Sequence, residues 1–267
     1  MSGVRVCTLD AAETVPGARH RGFTLAELAV VLVIVALLVG GLLVPLSAQI
    51  DSRNVADTRR ALAEIREAIL GYAVVNGRLP CPASATLVSG AAGAGLEGAR
   101  DPSGCTNIAG VVPWATLGVA ETDAWGRRYT YRVTKFFTKN VPVTNPALFT
   151  VAECIPPSIP QSAAFALCTP GELSVFVTGG GARVANVVPA VFVSHGKNGN
   201  GAYRVLGTQL PVGADADEVD NQLTGGGIST ANENFVHKTP TPTFDDEVAW
   251  IPTGVLFSRM IRAGKLP

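Results

Sequence analysis

One carboxylate, Glu27, lies inside an apolar run that begins at Phe23 and ends at Leu46, directly after Arg19-His20-Arg21-Gly22. The run holds 24 residues, roughly 36 Å of helix at about 1.5 Å per residue, enough to span a bilayer. A carboxylate in that setting costs on the order of 2.5–3.5 kcal/mol by insertion scales and therefore needs a partner. Other residues with chemical potential are fewer. Ser194 precedes His195, but a catalytic triad is a spatial arrangement and adjacency does not make one. The chain has no Gly-x-Ser-x-Gly or His-Glu-x-x-His motif, so His195 and His237 read as solvated loop residues and the chain as no enzyme. Residues 195–201, His-Gly-Lys-Asn-Gly-Asn-Gly, lack the order of a phosphate loop. The two Asn-Gly pairs read instead as a hairpin turn. Asp215, Asp217, Glu218 and Asp220 are acids that could attract calcium, and Asp245-Asp246-Glu247 is a second acidic cluster. The Asp-x-Asp-x-Asp-Gly order of an EF-hand is absent. No cofactor is therefore assigned, and Asp215, Asp217 and Asp220 stand as the calcium candidates.

A secretory signal peptide cut near Ala48 would place Leu46 where a small residue is preferred, and would leave the acid unexplained. A plain single-pass anchor explains the hydropathy but not the Gly-Phe-Thr-Leu-x-Glu order. Residues 22–28, Gly-Phe-Thr-Leu-Ala-Glu-Leu, resemble the class III signal of type IV pilins and type II secretion pseudopilins. The close resemblance covers only the N-terminal part of the chain. It implies cleavage after Gly22 by a membrane aspartyl prepilin peptidase and N-methylation of the new first residue, Phe23. It also implies pairing of Glu27 with the terminal amine of a neighbouring subunit. The expected partners are the prepilin peptidase, other pilin or pseudopilin subunits, the inner-membrane assembly platform, and lipid before assembly. The expected location is the bacterial inner membrane, single-pass with the head in the periplasm, and then a pilus or pseudopilus. The large head suggests a minor subunit. The alternative is a membrane-anchored binding or adhesion module that never polymerises.

The physics of the implied cut fits that reading. An α-amino group titrates near neutrality, and methylation keeps it cationic. Breaking a buried ion pair by removing one partner costs on the order of 3–5 kcal/mol, so Glu27 acts as an assembly register. The leader 1–22 carries Arg5, Arg19 and Arg21 against Asp10 and Glu13, and this positive excess holds the N-terminus on the cytoplasmic side. The whole chain balances 21 basic against 21 acidic residues, which gives no bulk electrostatic reason to bind nucleic acid. Removal of the leader takes Cys7 and leaves Cys81, Cys105, Cys154 and Cys168, an even set suited to disulfides in an oxidising compartment. Four cysteines allow three pairings. The sequence-local one, Cys81 with Cys105 and Cys154 with Cys168, closes the shortest loops. No Cys-x-x-Cys pair points to zinc.

The elements that position these residues follow from periodicity. Val55, Leu62, Ile65, Ile69 and Tyr72 form one stripe of an amphipathic helix over 47–76, stopped by Asn76-Gly77 and Pro80. Gly40, Gly41 and Pro45 weaken its middle. Residues 83–110, rich in Ala, Gly and Ser, read as a long loop. Asp123-Ala124-Trp125-Gly126 reads as a turn with a buried tryptophan, and it feeds a half-buried strand in which Tyr129, Tyr131 and Val133 alternate with polar residues. Further strands are expected over 173–178, 187–194 and 202–206, with Pro189 at a start or a bulge. Residues 207–243 read as an irregular surface excursion, and 253–263 as a helix capped by Gly264. The expected organisation is a leader 1–22, a helix 23–76 (23–46 transmembrane and assembly, 47–76 amphipathic) and an α+β head 77–267. The fold class is α+β and pilin-like: a long N-terminal helix packed on an antiparallel sheet.

Overall fold

The backbone helix α1 runs from Leu25 to Asn76 and continues through Gly40, Gly41 and Pro45. The computed structural model describes residues 22–143, 154, 160–223 and 233–266, and the side chains of 41–47 are outside that description. Cys7, the rest of the basic leader up to Arg21, and the glycine run 225–227 thus lie outside the described residues. The chain divides into two compact units, 1–50 and 51–267.

In the first unit every described residue from Gly22 to Gly40 is exposed, with Leu25 at 90% and Leu37 at 71%. Among the described residues no helix is long and apolar enough to cross a membrane. The span expected over 23–46 includes 41–46, whose side chains are outside the description.

In the second unit the α1 residues Thr58, Leu62, Ile65, Ile69, Leu70 and Ala73 are buried, a three- and four-residue rhythm that defines one helix face. Tyr72 is only half-buried, and its hydroxyl donates to Glu97 at 2.7 Å. The helix stops at Gly77, whose φ is +73° and whose N–H reaches the Ala73 carbonyl at 2.8 Å. A Cβ there would sit 2.3 Å from the Ser162 carbonyl oxygen, so only glycine fits.

The remaining elements are β1 (Arg100–Asp101), β2 (Gly104–Cys105), β3 (Ala109–Val111), α2 (Trp114–Leu117), β4 (Arg127–Arg128), β5 (Thr130–Val133), β6 (Leu173–Phe176), β7 (Arg183–Val188), β8 (Ala190–Ser194), β9 (Tyr203–Arg204), α3 (Ala216–Val219), β10 (Asn234–Val236), β11 (Glu247–Ile251) and α4 (Thr253–Arg262). One sheet has the order β11-β8-β5-β3 and a second β10-β6-β7. The first is antiparallel throughout, while β10 joins β6 in parallel. Alternate residues of β8 serve two cores. Ala190 and Phe192 pack with Leu62, Ile65, Ile69, Leu256 and Met260 from the helices, whereas Val191 and Val193 pack with Leu173, Val175 and Phe235 of the second sheet. The head is therefore helices, sheet, sheet, which gives a mixed α+β fold of pilin-like type.

This layering corrects several expectations. The central strand β5 is buried on both faces, with Thr130 and Arg132 as inaccessible as Tyr131 and Val133. Pro189 divides 187–194 between two sheets, because it cannot donate to a ladder. Residues 195–201 are not a hairpin turn: β8 pairs with β11 and β5, and β9 pairs with β4. Residues 83–110 hold the hairpin β1–β2 and the start of β3, strands too short to leave a periodic signal. Residues 207–243 contribute α3, β10 and the fully buried Asn221. Trp125 is half-buried, in a turn built by the Asp123 carboxylate, which accepts from the Trp125 and Arg127 N–H groups at 2.9 Å each.

Candidate functional site

Residues 22–24 are non-helical, and α1 begins at Leu25. The Gly22–Phe23 peptide bond therefore lies ahead of the helix, in exposed backbone of the kind proteases reach. Phe23 is 82% exposed. Thr24 and Glu27 form a capping box: the Thr24 N–H and hydroxyl donate to Glu27 Oε2 at 2.9 and 3.0 Å, and the Glu27 N–H reaches Thr24 Oγ1 at 3.2 Å. The Thr-x-x-Glu spacing is a helix-start signature. It fixes the helix origin two residues after Phe23. Phe23, Ala26, Glu27, Val30 and Val31 line one shallow groove, which places the acid and the first mature residue of the expected cut on one face.

A second constellation lies in the head. Glu218 on α3 is fully buried. It accepts from Asn198 Nδ2 at 2.5 Å and from Asn200 Nδ2 at 2.8 Å. Asp245 Oδ2 accepts from the Asn198 N–H at 2.9 Å, and Asp246 Oδ2 accepts from Asn221 Nδ2 at 2.9 Å. One carboxylate oxygen from each of Glu218, Asp245 and Asp246 lies within 4.8 Å of the other two. Burial pushes the Asp245 carboxyl up from its ordinary range, and the nearby Asp246 and Glu218 charges add to this, against the Asn198 N–H. Gly196 makes the close approach possible. Its φ is +55°, and a Cβ there would sit 2.5 Å from Asp245 Oδ1.

The acids singled out in the sequence fall elsewhere. Asp215 caps α3, accepting from the Asp217 N–H at 3.0 Å and from the Thr243 hydroxyl at 2.8 Å. Asp217 pairs with Lys238 and accepts from the Gly179 N–H. Asp220 does not join the converging group. Only Glu218, from the first acidic cluster, meets Asp245 and Asp246 from the second. The histidines are also not solvated. His195 has no exposed surface, and its Nε2 lies 2.8 Å from Thr130 Oγ1. His237 is half-buried with its ring edge-on to Trp250 at 5.7 Å. Ser194 is equally buried and donates to Asp123 Oδ2 at 2.6 Å, which leaves no exposed Ser-His pair for a substrate to reach. The cysteines pair as Cys81–Cys105, with Cα atoms 5.4 Å apart, and Cys154–Cys168, at 5.2 Å.

Residues 17–43 match the family model described as the prokaryotic N-terminal methylation motif. No curated protein and no solved structure matches the chain. The matched stretch contains Gly22, Phe23, the Thr24–Glu27 box and the exposed apolar turns that follow, so the chain carries a type IV pilin-like prepilin signal.

Proposed function

We propose that the chain is a structural subunit, a minor pilin or pseudopilin, of a type IV pilus-like or type II secretion filament, and not an enzyme. Prepilin peptidase cuts after Gly22 and methylates Phe23. The segment 23–46 holds the subunit in the inner membrane with its head in the periplasm until the assembly platform adds it to other subunits. Glu27 then exchanges its intrachain bonds to Thr24 for the methylated amine of a neighbour. The observation that carries this reading is the methylation motif at 17–43. Its single acid lies on an apolar helix whose side chains are exposed on every face among residues 25–40. Exposed apolar surface of that extent calls for lipid or protein to cover it.

Two measurements test the proposal. Mass spectrometry of the mature protein is expected to find N-methylated Phe23 as the first residue; a chain beginning at Met1 or near Gln49 overturns it. Glu27→Ala is expected to leave cleavage intact and to abolish incorporation into filaments in sheared-fibre fractions. Unchanged incorporation of a stable, cleaved variant would overturn the assembly role of Glu27, and absence of the unaltered, cleaved chain from the filament fraction would instead support a non-polymerising anchored module.

A further inference from the structure

We propose that Glu218, Asp245 and Asp246 form a binding site for one hard divalent cation, which ties α3 and the loop 195–201 to the start of β11. The three carboxylates come from two segments far apart in sequence, and the fold brings one oxygen of each within 4.8 Å of the others. Like charges held that close in a buried place repel unless a proton or a cation joins them. The lysines that flank the cluster in sequence do not supply it: Lys197 pairs with Asp51, and Lys238 with Asp217.

An independent observation points into the same place. His195 is completely buried, its Nδ1 has no hydrogen-bond partner, and that atom lies 3.7 Å from Asp246 Oδ1. Asp245 Oδ1 and Asp246 Oδ1 are likewise buried and unpartnered. Buried polar atoms in folded proteins are nearly always satisfied. The two carboxylate oxygens are ligand atoms without a partner, and the buried imidazole is aimed at one of them. The other oxygens are already fixed by Asn198, Asn200 and Asn221, so the carboxylates are oriented in advance. His195 Nε2 shares a hydrogen bond with the Thr130 hydroxyl at 2.8 Å; in the tautomer in which the hydroxyl donates, Nδ1 carries the proton and faces Asp246 from the second layer, where such a group orients a ligating carboxylate. The candidate ligands are all carboxylate oxygens, which favours hard cations over the softer metals that thiolates select. Calcium tolerates the irregular geometry of ligands drawn from separate segments better than magnesium, which demands a near-ideal octahedron.

The position gives the cation a structural consequence. Asp246 immediately precedes Glu247, the first residue of β11. Glu247 accepts from Arg59 of α1 through Nε at 2.9 Å and Nη2 at 2.8 Å. Fixing Asp245 and Asp246 fixes where β11 begins, and so holds Glu247 against Arg59.

The test is calorimetric titration of the full mature chain in detergent, stripped with EDTA, using calcium chloride and then magnesium chloride, alongside thermal unfolding. Saturable uptake of one calcium ion and a raised midpoint are expected, with magnesium weaker. Glu218→Gln and Asp245→Asn, each checked for folding by circular dichroism, are expected to lose about tenfold or more in affinity. Asp217→Asn, which removes an acid engaged by Lys238, should bind as the unaltered chain does. Absence of saturable uptake of either ion overturns the proposal, as does equal uptake by the Glu218→Gln and Asp245→Asn chains. The readout is independent of filament assembly, so its failure leaves the functional reading untouched.

Discussion

Arg128 has no exposed surface, yet its guanidinium is engaged on every side. Nε and Nη2 donate to Glu121 Oε1 at 3.0 and 2.7 Å, Nη1 donates to the Ala85 and Leu87 carbonyls at 3.0 and 2.7 Å, and Nη2 also reaches the Val205 carbonyl at 3.1 Å. The Trp114 ring covers its face at 4.6 Å. One planar fork thus ties three separate segments to β4. Arg128→Met should cost about 3–5 kcal/mol, because it leaves Glu121 and the carbonyls without their donor. Arg128→Lys should recover only part, since an ammonium lacks the fork. Urea unfolding with an unchanged slope measures both; a loss under about 1 kcal/mol for Arg128→Met would show that water replaces the guanidinium. At this scale the sequence is least legible. Arg127-Arg128 looks like a solvated pair until 85–87 and 205 arrive over it. His195 likewise reads as exposed because Thr130 and Asp246 lie 65 and 51 positions away in the numbering. The N-terminal constellation is the opposite case. Gly22, Phe23, Thr24 and Glu27 are spaced within one helical turn or so, and such spacings are visible in a string of residues.

Among the elements, those with long periodic signals were readable. The buried face of α1 follows Leu62, Ile65 and Ile69, and α4 buries Leu256 and Met260, positions four apart on one helix face. Short elements carried no such signal. The hairpin β1–β2 is two residues per strand and is held from outside its own sequence: Cys105 in β2 is bonded to Cys81, a sequence separation of 24. The Cys105 N–H also meets Thr138 Oγ1 at 2.9 Å. Both cysteines are fully buried against Tyr131 and Leu79 in the main core. Removing that link should therefore release a segment that has little pairing of its own. By loop-closure entropy, Cys81→Ala with Cys105→Ala should lose about 3 kcal/mol, to which the small loss of packing adds. Denaturant midpoints of the double variant, compared with the unaltered chain under oxidising and reducing conditions, check it. The two chains should converge once the disulfide is reduced, and a difference that persists would assign the loss to packing. The parallel pairing of β10 with β6 was illegible for a related reason. Its partners are separated by 60 positions in register, Asn234 with Ser174 and Phe235 with Val175, and nothing local to 234–236 announces a neighbour.

At the scale of the molecule, the two units have opposite surface economies. From Gly22 to Gly40 no described residue is buried, so that stretch has no core of its own among the described residues. The unit 51–267 contains its own cores, and the α1 residues that enter them, Leu62, Ile65, Ile69, Leu70 and Ala73, all lie beyond Asp51. A chain that begins at Asp51 should therefore fold cooperatively and stay monomeric without detergent, while the mature chain from Phe23 requires detergent or lipid. Moving the start to Gly77 should abolish folding. Burial of a Leu or Ile side chain is worth about 1.5–3 kcal/mol, and the four removed together exceed much of the about 5–15 kcal/mol that holds a typical domain. Thermal unfolding and analytical ultracentrifugation of the two truncations separate the cases. If the Asp51 chain aggregates while the Gly77 chain folds, the helix is not part of the head's core. If the Asp51 chain unfolds cooperatively and the Gly77 chain does not, the apolar stretch before Asp51 is dispensable for folding, and its exposure is left for the lipid or neighbouring subunits that the proposed function supplies.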